Sequence, residues 1–446
     1  MRLQAGLLAA RATGAVTRLA GRGGTSLPGK VLMRAEPHAI ARLAARLPNG
    51  SVVVSATNGK TTTAAMVATI LGRTGTKLVH NRAGANMAGG VATALASGRG
   101  DMGLFEVDEF WLGPVADELQ PRAILLSNLF RDQLDRYGEL EIIADRWAVI
   151  VADLPPETAL VLNADDPLVA DLGRQRDALY FGVDDDALAL AELQHASDSK
   201  HCRRCGHAYV YEAAYLAHLG HYACPNCGAR RPDPQVRASQ VELRGIRSAA
   251  FTLTTPDGER RIELPLPGLY NVYNALGAAA LCLRLGISLD DVAAGLAAVE
   301  PAFGRAETIE LNGRPTSILL VKNPAGANEV LRTLALEGRE LDLFGVLNDR
   351  IADGRDVSWV WDADWEIVAP HVRRLTCSGT RAAELALRLK YAGVDPARLE
   401  VVDDLERGLD RALAGGDGPL YALPTYTALL ELKDVLSRRG HEEYWR

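Results

Sequence analysis

A segment near the amino terminus combines the residue types that bind phosphate. In SVVVSATNGKTTT (51–63), an apolar run is followed by a Gly-Lys pair and three threonines. In a nucleotide-binding loop, backbone amides face the phosphates, a lysine reaches the terminal phosphates and a hydroxyl ligates Mg²⁺. Gly59, Lys60 and Thr61 fit the end of the G-x-x-x-x-G-K-[ST] pattern, whereas Val54 stands at its first glycine. The order of these parts favours a nucleotide site over a turn with an exposed lysine.

An acidic segment offers ligands for the magnesium ion of such a site. FEVDEF (105–110) places Glu106, Asp108 and Glu109 at the end of a predicted strand. Mg²⁺ usually takes one or two carboxylates besides phosphate oxygens, and ligands of open α/β sheets bind beyond the carboxyl ends of strands. Glu106 is therefore the expected magnesium ligand, together with Thr61. For Asp108 and Glu109 a solvated acidic loop is the alternative.

Four of the six cysteines form two CxxC pairs. Cys202 and Cys205 are separated from Cys224 and Cys227 by 18 residues, and a glycine follows each pair. This spacing is typical of a four-cysteine zinc ribbon, in which the glycine allows the tight turn of each knuckle. Structural Zn²⁺ is predicted, without a catalytic role, and disulfides or redox pairs are the alternatives. Nearby histidines could substitute as ligands but are not needed: His201, His207 and His221.

Alternating elements must position these residues. Apolar runs without polar alternation are separated by helical stretches, which predicts parallel strands buried on both faces. We expect a doubly wound, mostly parallel α/β domain over 51–305, interrupted by the zinc ribbon at 198–232. A second α/β pattern predicts a Rossmann-like C-terminal domain over 306–446. Residues 1–50 are expected to form an N-terminal helical arm.

The overall composition is that of an ordinary globular protein, with 48% apolar and 24% charged residues among 446. The net charge of −7 gives no broad attraction to nucleic acid, so no such partner is expected. No apolar run is long enough to cross a bilayer. Arg11 and Arg18 interrupt the apolar stretch near the start, which favours an amphipathic helix over a signal peptide. Cysteines paired for metal indicate a reducing cytoplasm.

Several short segments together resemble one family of enzymes. They are TNGKTTT (57–63), NRAGANM (81–87), FEVDEF (105–110), NLFRDQLDRYG (128–138), LNADDP (162–167), GLYNVYNALGAAA (268–280) and FGRAE (303–307). This set is similar to the Mur ligase superfamily, whose members join an amino acid to a carboxylate through an acyl phosphate. The four-cysteine insert and LNDRIADGRDVSWVWD (347–362) narrow the resemblance to the MurT family, the Mur-ligase-like subunits of lipid II isoglutaminyl synthases. It implies a Mur ligase central domain with an inserted zinc ribbon and a MurT-type C-terminal domain.

The resemblance implies a reaction. ATP would activate the α-carboxylate of D-glutamate in the lipid II stem peptide as an acyl phosphate, and ammonia would convert it to D-isoglutamine. A class I glutamine amidotransferase subunit of the GatD type would supply the ammonia within a heterodimer. The implied cofactors are ATP, Mg²⁺ and structural Zn²⁺. The implied location is the cytoplasm, with access to lipid II at the inner face of the membrane.

The resemblance also implies roles for particular residues. The loop would wrap the phosphates, with Lys60 at the terminal ones, and two asparagines one helical turn apart would lie at the adenine. Arg305 would reach the phosphates from the linker, while Asn128 and the turn 322–324 would face the same cleft. A helix cap and a surface charge are the alternatives for Asn271 and Arg305. The implied nucleotide-binding residues are Thr57, Asn58, Gly59, Lys60, Thr61, Thr62, Asn271, Asn274 and Arg305.

In the family, an aspartate of segment 347–362 is thought to complete a catalytic triad with a Cys and a His of the partner. Such an aspartate orients and stabilises the catalytic imidazolium. We favour Asp356, because a triad acid needs an ordered segment, here held by Trp359 and Trp361. A solvated loop with packed aromatics is the alternative for this segment. The segment 423–432 is expected on the same docking surface, and a strand-to-helix turn in the core is its alternative. The four acids of the segment are Asp349, Asp353, Asp356 and Asp362.

One departure and two rival functions complete the sequence reasoning. Many Mur ligases carry a carbamylated lysine for a second Mg²⁺, but the stretch 138–151 has no lysine and its nearest cation is Arg146. A second metal held in that way is not expected. The first rival is a Mur or folylpolyglutamate-type ligase that adds an amino acid. The second is a non-catalytic zinc-ribbon scaffold that binds nucleic acid.

Overall fold

The computed structural model describes residues 2–19, 25–81, 85–132, 140–300 and 305–441. The helices are α1 (Arg2–Leu19), α2 (Leu27–Ala35), α3 (Ala39–Ala44), α4 (Lys60–Arg73), α5 (Ala88–Ser97), α6 (Leu112–Leu119), α7 (Leu140–Asp153), α8 (Pro167–Ala170), α9 (Leu269–Arg284), α10 (Leu289–Ala297), α11 (Pro324–Ala335), α12 (Ala382–Tyr391), α13 (Leu405–Leu413) and α14 (Tyr426–Arg438). The strands are β1 (Ser51–Ser55), β2 (Leu78–His80), β3 (Met102–Glu106), β4 (Ala123–Leu126), β5 (Ala159–Asn163), β6 (Ala178–Val183), β7 (Val210–Leu216), β8 (Leu219–Ala223), β9 (Val236–Leu243), β10 (Ala249–Thr255), β11 (Gly258–Leu264), β12 (Arg305–Leu311), β13 (Arg314–Leu319), β14 (Leu341–Val346), β15 (Val372–Ser378), β16 (Leu399–Val401) and β17 (Leu420–Pro424).

The larger sheet is mostly parallel, as predicted. Its nine strands run in the order β11-β10-β9-β6-β5-β4-β1-β3-β2, and only β10 pairs antiparallel, with β9 and β11. The strand before the glycine-lysine loop, β1, lies between β3 and β4, where Val53 pairs with Phe105 and Ile124. All five residues of β1 are buried. An apolar run without alternation therefore does mark a strand covered on both faces.

Helices cover both faces of this sheet. On one face α4, α9 and α10 form an apolar core, and α10 approaches α4 so closely that a Cβ on Gly295 would lie 2.5 Å from Ile70. On the other face α3, α5, α6 and α7 enclose the fully buried Trp147. Ser288 caps α10 and exchanges hydrogen bonds with Asp291, the acidic capping box expected from the sequence.

The second sheet has the Rossmann-like form expected for the C-terminal part. Its order is β12-β13-β17-β14-β15-β16, parallel except for the β12–β13 hairpin. One apolar core lies under α11 and α12, and another lies under α13 and α14. The strands β12 and β16 were not predicted, because β12 alternates polar and apolar residues and β16 has only three residues at the sheet edge.

Within the described residues 2–19 and 25–50, the helices α1 to α3 form an arm, and the limits 1–50 for it stay a prediction. This arm packs against α5. The helices α2 and α5 cross so closely that a Cβ on Gly29 would lie 1.9 Å from the Gly89 carbonyl oxygen. No helix in the described ranges is long and apolar enough to cross a membrane. The domain limits 51–305 and 306–446 stay predictions. In the structure α10 ends at Ala297 and β12 begins at Arg305, and residues 301–304 between them lie outside the described part.

Candidate active site

The glycine-lysine loop connects β1 to α4 through a left-handed residue. Gly59 caps α4 with φ 87° and ψ −6°. A Cβ at this position would lie 2.0 Å from Oδ1 of Asn274, which also accepts a hydrogen bond of 3.2 Å from the Thr63 hydroxyl. Both the backbone conformation and the contact with α9 therefore require glycine here.

Asn128 shapes the first half of the loop. The Thr57 amide donates to its carbonyl at 2.9 Å, and the Asn58 amide donates to its side-chain oxygen at 2.8 Å. The Thr57 hydroxyl exchanges hydrogen bonds with the backbone of Phe130. Within the described ranges no group accepts from the amides of residues 59–61, which begin α4. Residues 59–61 can thus receive an anion at the helix start, whereas residues 57 and 58 fix the course of the loop.

The Lys60 ammonium folds back into the loop and is almost fully buried. It donates to the Ala56 carbonyl, to the Thr57 carbonyl at 3.2 Å and to the Glu109 carboxylate at 2.9 Å. Burial opposes its charge, but the surrounding carboxylates, with Glu109 foremost, outweigh burial and raise the pKa of Lys60 above its usual range. The ammonium therefore stays charged where phosphates would bind.

The acidic segment is not the solvated loop that was considered for Asp108 and Glu109. The Glu109 side chain is 10% exposed, and although burial opposes its charge, Lys60 and Lys322 lower its pKa. Burial and the neighbouring Glu109 raise the pKa of Asp108. Glu106 is 3% exposed, and its backbone is paired with the Asn81 side chain. The loop forms a buried acidic cluster beside Lys60.

The C-terminal sheet closes the site through the turn after β13. The side chains of Asn323 and Asn58 exchange two hydrogen bonds of 3.0 and 3.1 Å. The Lys322 ammonium donates to the Thr57 carbonyl at 3.0 Å and to Asp132 at 2.5 Å. Asn323 also accepts from the Gly326 amide at the start of α11. The turn 322–324 thus faces the loop, as expected, and connects the two sheets at this point.

A cavity of about 110 Å³ lies between the loop, α9 and the C-terminal sheet. Leu319, Val330 and Glu329 of the C-terminal part line it, and burial raises the pKa of Glu329. Asn274 lines it too, whereas Asn271 lies behind and holds the Asn274 amide through a 3.0 Å hydrogen bond. The two predicted asparagines are together, but only one reaches the cavity.

One wall of this cavity comes from the inserted module, and sequence reasoning did not predict it. The strands β7 and β8 form a hairpin, here called the ribbon hairpin, and Leu216 and Leu219 at its tip line the cavity. Between them His218 is fully buried, with its ring 5.0 Å from that of Phe130. The Tyr215 carbonyl accepts a 2.7 Å hydrogen bond from Arg332 on α11. The ribbon hairpin therefore contacts the larger sheet, through His221 and the Val183 carbonyl, and helix α11 of the C-terminal part.

Asp165, whose carboxylate is buried, helps to hold the ribbon hairpin against the larger sheet. Asp165 accepts from Arg231 at 2.6 Å, from the Tyr273 hydroxyl at 2.6 Å and from the Val183 amide at 2.8 Å. Its carbonyl accepts from the Gly220 amide at 2.9 Å. Burial, and then the Asp165 charge, raise the pKa of Tyr273 well above its usual range, so its hydroxyl stays a donor.

The four paired cysteines converge at the other end of the ribbon hairpin. Their sulfur atoms all lie within 4.8 Å of one another, and the 3.5 Å between Cys202 and Cys227 excludes a disulfide. Gly206 and Gly228 adopt φ 71° and 73° and donate to the carbonyls that begin each knuckle. This cluster could hold a metal ion. The histidine substitutes are not part of it, since His221 lies 3.2 Å from Asp184, whose hydrogen bond raises its pKa.

The acids of segment 347–362 have distinct surroundings. Asp353 is buried and accepts from the amide and hydroxyl of Thr427 at the start of α14. Asp349 accepts from the Thr380 hydroxyl, and Asp362 pairs with Arg131 at 3.2 Å. These three hold the fold together.

Asp356 is exposed, whereas Asp353 is buried and the partly exposed Asp349 and Asp362 bond to Thr380 and Arg131. Its hydrogen bonds in the described chain come from Ser358, which lowers its pKa. Asp356 is thus an exposed acid whose described hydrogen bonds come from its own segment.

The expected tryptophan anchor is only partly correct. Trp359 packs against the C-terminal core, but Trp361 is 47% exposed, with its ring 5.9 Å from that of Tyr391. The anchor is Trp365, which is buried and donates to the Val360 carbonyl at 3.1 Å. Sequence reasoning missed Trp365 because a tryptophan outside the motif gives no indication of how deeply its side chain is buried.

The structure brings most predicted nucleotide-site residues to one place. Lys60, Thr61 and Thr62 begin α4, with Glu106 at the end of the neighbouring strand. The side chain of Arg305 lies outside the described part, as do parts of segments 81–87, 128–138 and 303–307. Reasoning from sequence missed the Lys60–Glu109 pair and the ribbon hairpin. The acidic run 105–110 was the one sequence signal for the ion pair, and the apolar residues at the tip of the insert were the one signal for the ribbon hairpin.

Comparison with known proteins defines the class. The Mur ligase middle domain matches residues 54–282, and the MurT ligase C-terminal domain matches residues 320–429. A pseudomurein peptide ligase type C from Methanothermus fervidus has the same fold, with TM-score 0.71 and 24% identity over 89% of this chain and 80% of that one. The protein is an ATP-dependent ligase of Mur type.

Relatives over the full length specify the family. The lipid II isoglutaminyl synthase (glutamine-hydrolyzing) subunit MurT of Streptococcus pneumoniae is 34% identical over 97% of both chains. The subunit of the same name from Staphylococcus aureus is 32% identical over 95% of both chains. The chain belongs to the MurT family.

Gly59→Ala tests whether the loop geometry serves nucleotide binding. A methyl group here would meet Asn274, so we expect ATP affinity to fall at least tenfold, besides a strain of about 1 kcal/mol from the positive φ. Gly75→Ala is the matched control, since Gly75 has φ 82° and open space around its Cβ. ATP binding by calorimetry and unfolding by urea distinguish the two. Equal ATP affinity in both variants would contradict the assignment.

Proposed function

We propose that this chain is the amide-forming subunit of a lipid II isoglutaminyl synthase. It would use ATP and ammonia to convert the α-carboxylate of D-glutamate in the lipid II stem peptide to the amide of D-isoglutamine. The observation that carries the proposal is the similarity to subunits of that name over 97% of the chain. The buried, charged Lys60 at the start of α4 fits the phosphoryl transfer that such a reaction needs.

The proposed reaction has two steps. A carboxylate oxygen bonds to the γ-phosphorus of ATP as ADP leaves, and ammonia nitrogen then bonds to the acyl carbon as phosphate leaves and a proton is lost. The amides of residues 59–61 and Lys60 would hold the phosphates and stabilise the developing negative charge. The Thr61 hydroxyl and the buried Glu106 carboxylate suit Mg²⁺, a hard cation that would neutralise phosphate charge.

Contact between the two sheets would protect the intermediate. An acyl phosphate hydrolyses if water reaches it, so the site must close around it. The Asn58–Asn323 pair and the Lys322 contact with Thr57 join the C-terminal part directly to the phosphate loop. The small apolar cavity beside Asn274 suits a nucleotide base, with Asn271 holding the Asn274 amide in place.

Zn²⁺ is the metal we propose for the cysteine cluster. Zinc–sulfur bonds of about 2.3 Å in a tetrahedron put sulfur atoms roughly 3.8 Å apart, which agrees with the observed cluster. Four thiolates in two glycine-ended knuckles fit a structural site without an open position. Its role would be to hold the end of the ribbon hairpin opposite the cavity.

A partner glutaminase of class I would dock near Asp356 to form a heterodimer. Asp356 is exposed and ionised, as an acid that orients a partner's histidine must be. Exposed apolar side chains on the same part of the chain support a docking surface: Ile351 is 69% exposed, Trp361 47% and Tyr391 71%. Thr427 anchors this segment to α14, which places 423–432 beside it. Free ammonia is scarce at neutral pH, so delivery within a complex gives proximity.

We place the reaction in the cytoplasm at the inner face of the membrane, where a lipid-linked substrate is reached. Addition of an amino acid remains the rival reaction, since Mur-type folds serve it too. The nucleic-acid scaffold loses its basis, because the ribbon hairpin is part of the nucleotide cavity and contacts both the larger sheet and α11.

The decisive assay supplies ATP and lipid II with ammonium salts but without a partner. We expect mass spectrometry to show replacement of a hydroxyl by an amino group, with ADP formed in equal amount. Lys60→Ala should lower the rate at least a hundredfold, since a preorganised charge at the transferring phosphate contributes about that much. Lys390→Ala, at an exposed lysine of α12, is the control. Product formed only with an added amino acid would establish the rival reaction.

The variant Asp356→Asn distinguishes glutamine hydrolysis by the partner from amidation by this chain. In the complex with a glutaminase partner, we expect glutamine hydrolysis to fall by roughly 10³- to 10⁴-fold, because an asparagine orients the partner's histidine wrongly. Amidation with ammonium salts should be unchanged. Asp362→Asn is the matched control in the same segment. If both variants hydrolyse glutamine at the original rate, Asp356 does not belong to a triad.

The double variant Cys205→Ser/Cys227→Ser tests the link between the ribbon and the nucleotide. We expect loss of bound Zn²⁺ and an ATP affinity weakened at least about fivefold, because Leu216 and Leu219 would no longer be held at the cavity. His207→Ala, on the exposed surface beside Cys205, should change neither. Metal analysis and calorimetry measure the two effects. Zinc loss with unchanged ATP affinity would make the ribbon independent of the nucleotide site.

A further inference from the structure

Charge is divided unequally along the chain. Residues 1–50 hold eight Lys and Arg and one acidic residue, a net charge of +7, whereas the whole chain carries −7. The remainder therefore carries −14. A strongly basic helical arm on an acidic body indicates that the arm meets an anionic partner.

The basic side chains of the arm are not neutralised within the protein. Arg2, Arg11, Lys30, Arg34 and Arg46 are exposed, and none forms an ion pair in the part of the chain that the structure describes. Elsewhere many exposed arginines have a carboxylate within reach. These five charges are therefore available to an external anion.

The outer face of α1 is apolar where a surface helix is normally polar. Its inner stripe, Leu3, Leu7 and Ala10, packs toward the core. On the opposite side Leu8 is 66% exposed and Val16 65% exposed. Alanines continue this outer stripe at helical spacing: Ala5, Ala12 and Ala15. A helix with apolar stripes on both sides and arginines at the borders is suited to an interface between water and hydrocarbon.

A cavity lies between the arm and the rest of the chain, beside the inner stripe of α1. It measures about 310 Å³ and has Leu7, Leu43 and Leu95 among its walls. Arg11, Arg46 and Arg99 line it as well, and no acidic residue does so within the described ranges. Three guanidinium groups over an apolar floor suit a phosphate group attached to a hydrocarbon.

We propose that α1 and the adjoining basic residues of the arm dock the protein on an anionic phospholipid bilayer. The apolar stripe would enter the interface, the unpaired cations would contact lipid phosphates, and the acidic body would stay in solution. A second copy of this chain fits less well, because two arms of charge +7 repel each other. The proposal deepens the proposed function by naming how a lipid-linked substrate is approached, but its argument is independent of the chemistry.

Cosedimentation of the full chain with vesicles tests the proposal. We expect binding to phosphatidylcholine vesicles that contain phosphatidylglycerol, weakened by salt, and little binding to phosphatidylcholine alone. The pairs Arg11→Glu/Lys30→Glu and Leu8→Gln/Val16→Gln should each weaken binding at least about tenfold, since one basic residue contributes roughly fivefold. Val401→Gln/Arg407→Glu, an exposed pair in the C-terminal part, is the matched control and should bind as the unchanged chain does.

Several outcomes would overturn the proposal. These are absence of binding to anionic vesicles, equal binding by the arm variants and the control, or retention by short RNA in preference to vesicles. Self-association that the arm variants abolish would assign the face to a second copy instead. Amidation of a water-soluble lipid II analogue by the arm variants keeps this result separate from the reaction, because none of the four residues lies at the phosphate loop. Normal amidation with lost vesicle binding supports the proposal.

Discussion

The buried ammonium of Lys60 is the constraint on which the site depends. A cation with so little exposure to water must have nearby negative charge, and Glu109 supplies it at 2.9 Å. The pair requires the acidic loop to stay beside the start of α4, which the Glu106–Asn81 backbone contacts ensure. Phosphates bound at the helix start, as proposed, would offer the same compensation, so the site would exchange one set of anions for another without discharging the lysine.

The same loop is where the two sheets meet. Asn58 bonds to Asn128 through its backbone and to Asn323 through its side chain. The position of this one residue therefore depends both on the segment after β4 and on the C-terminal part. Lys322 bonds to the Thr57 carbonyl in the same loop. A nucleotide that displaces these contacts would alter how the C-terminal part is held, and a C-terminal part that moves would alter the loop.

Sequence reasoning succeeded where a local pattern determines the structure. Unbroken apolar runs predicted the strands, the Gly-Lys pair predicted the start of α4, and the CxxC spacing predicted the cysteine cluster. It failed where contacts join distant segments. Whether Glu109 is solvated depends on Lys60, and the depth of Trp365 depends on the C-terminal core. Edge strand β12 was missed because polar and apolar residues alternate along it and give it a polar composition.

The ribbon hairpin shows how an insertion can contribute a wall to a cavity beside the phosphate loop. Its cysteine end is fixed by a cluster that needs only the insert itself, whereas its tip is fixed by Asp165 and the buried His218. Between these two points the antiparallel strands hold Leu216 and Leu219 against the cavity. Loss of order at the cysteine end would therefore reach the cavity through the strand pairing, without any cysteine approaching the cavity.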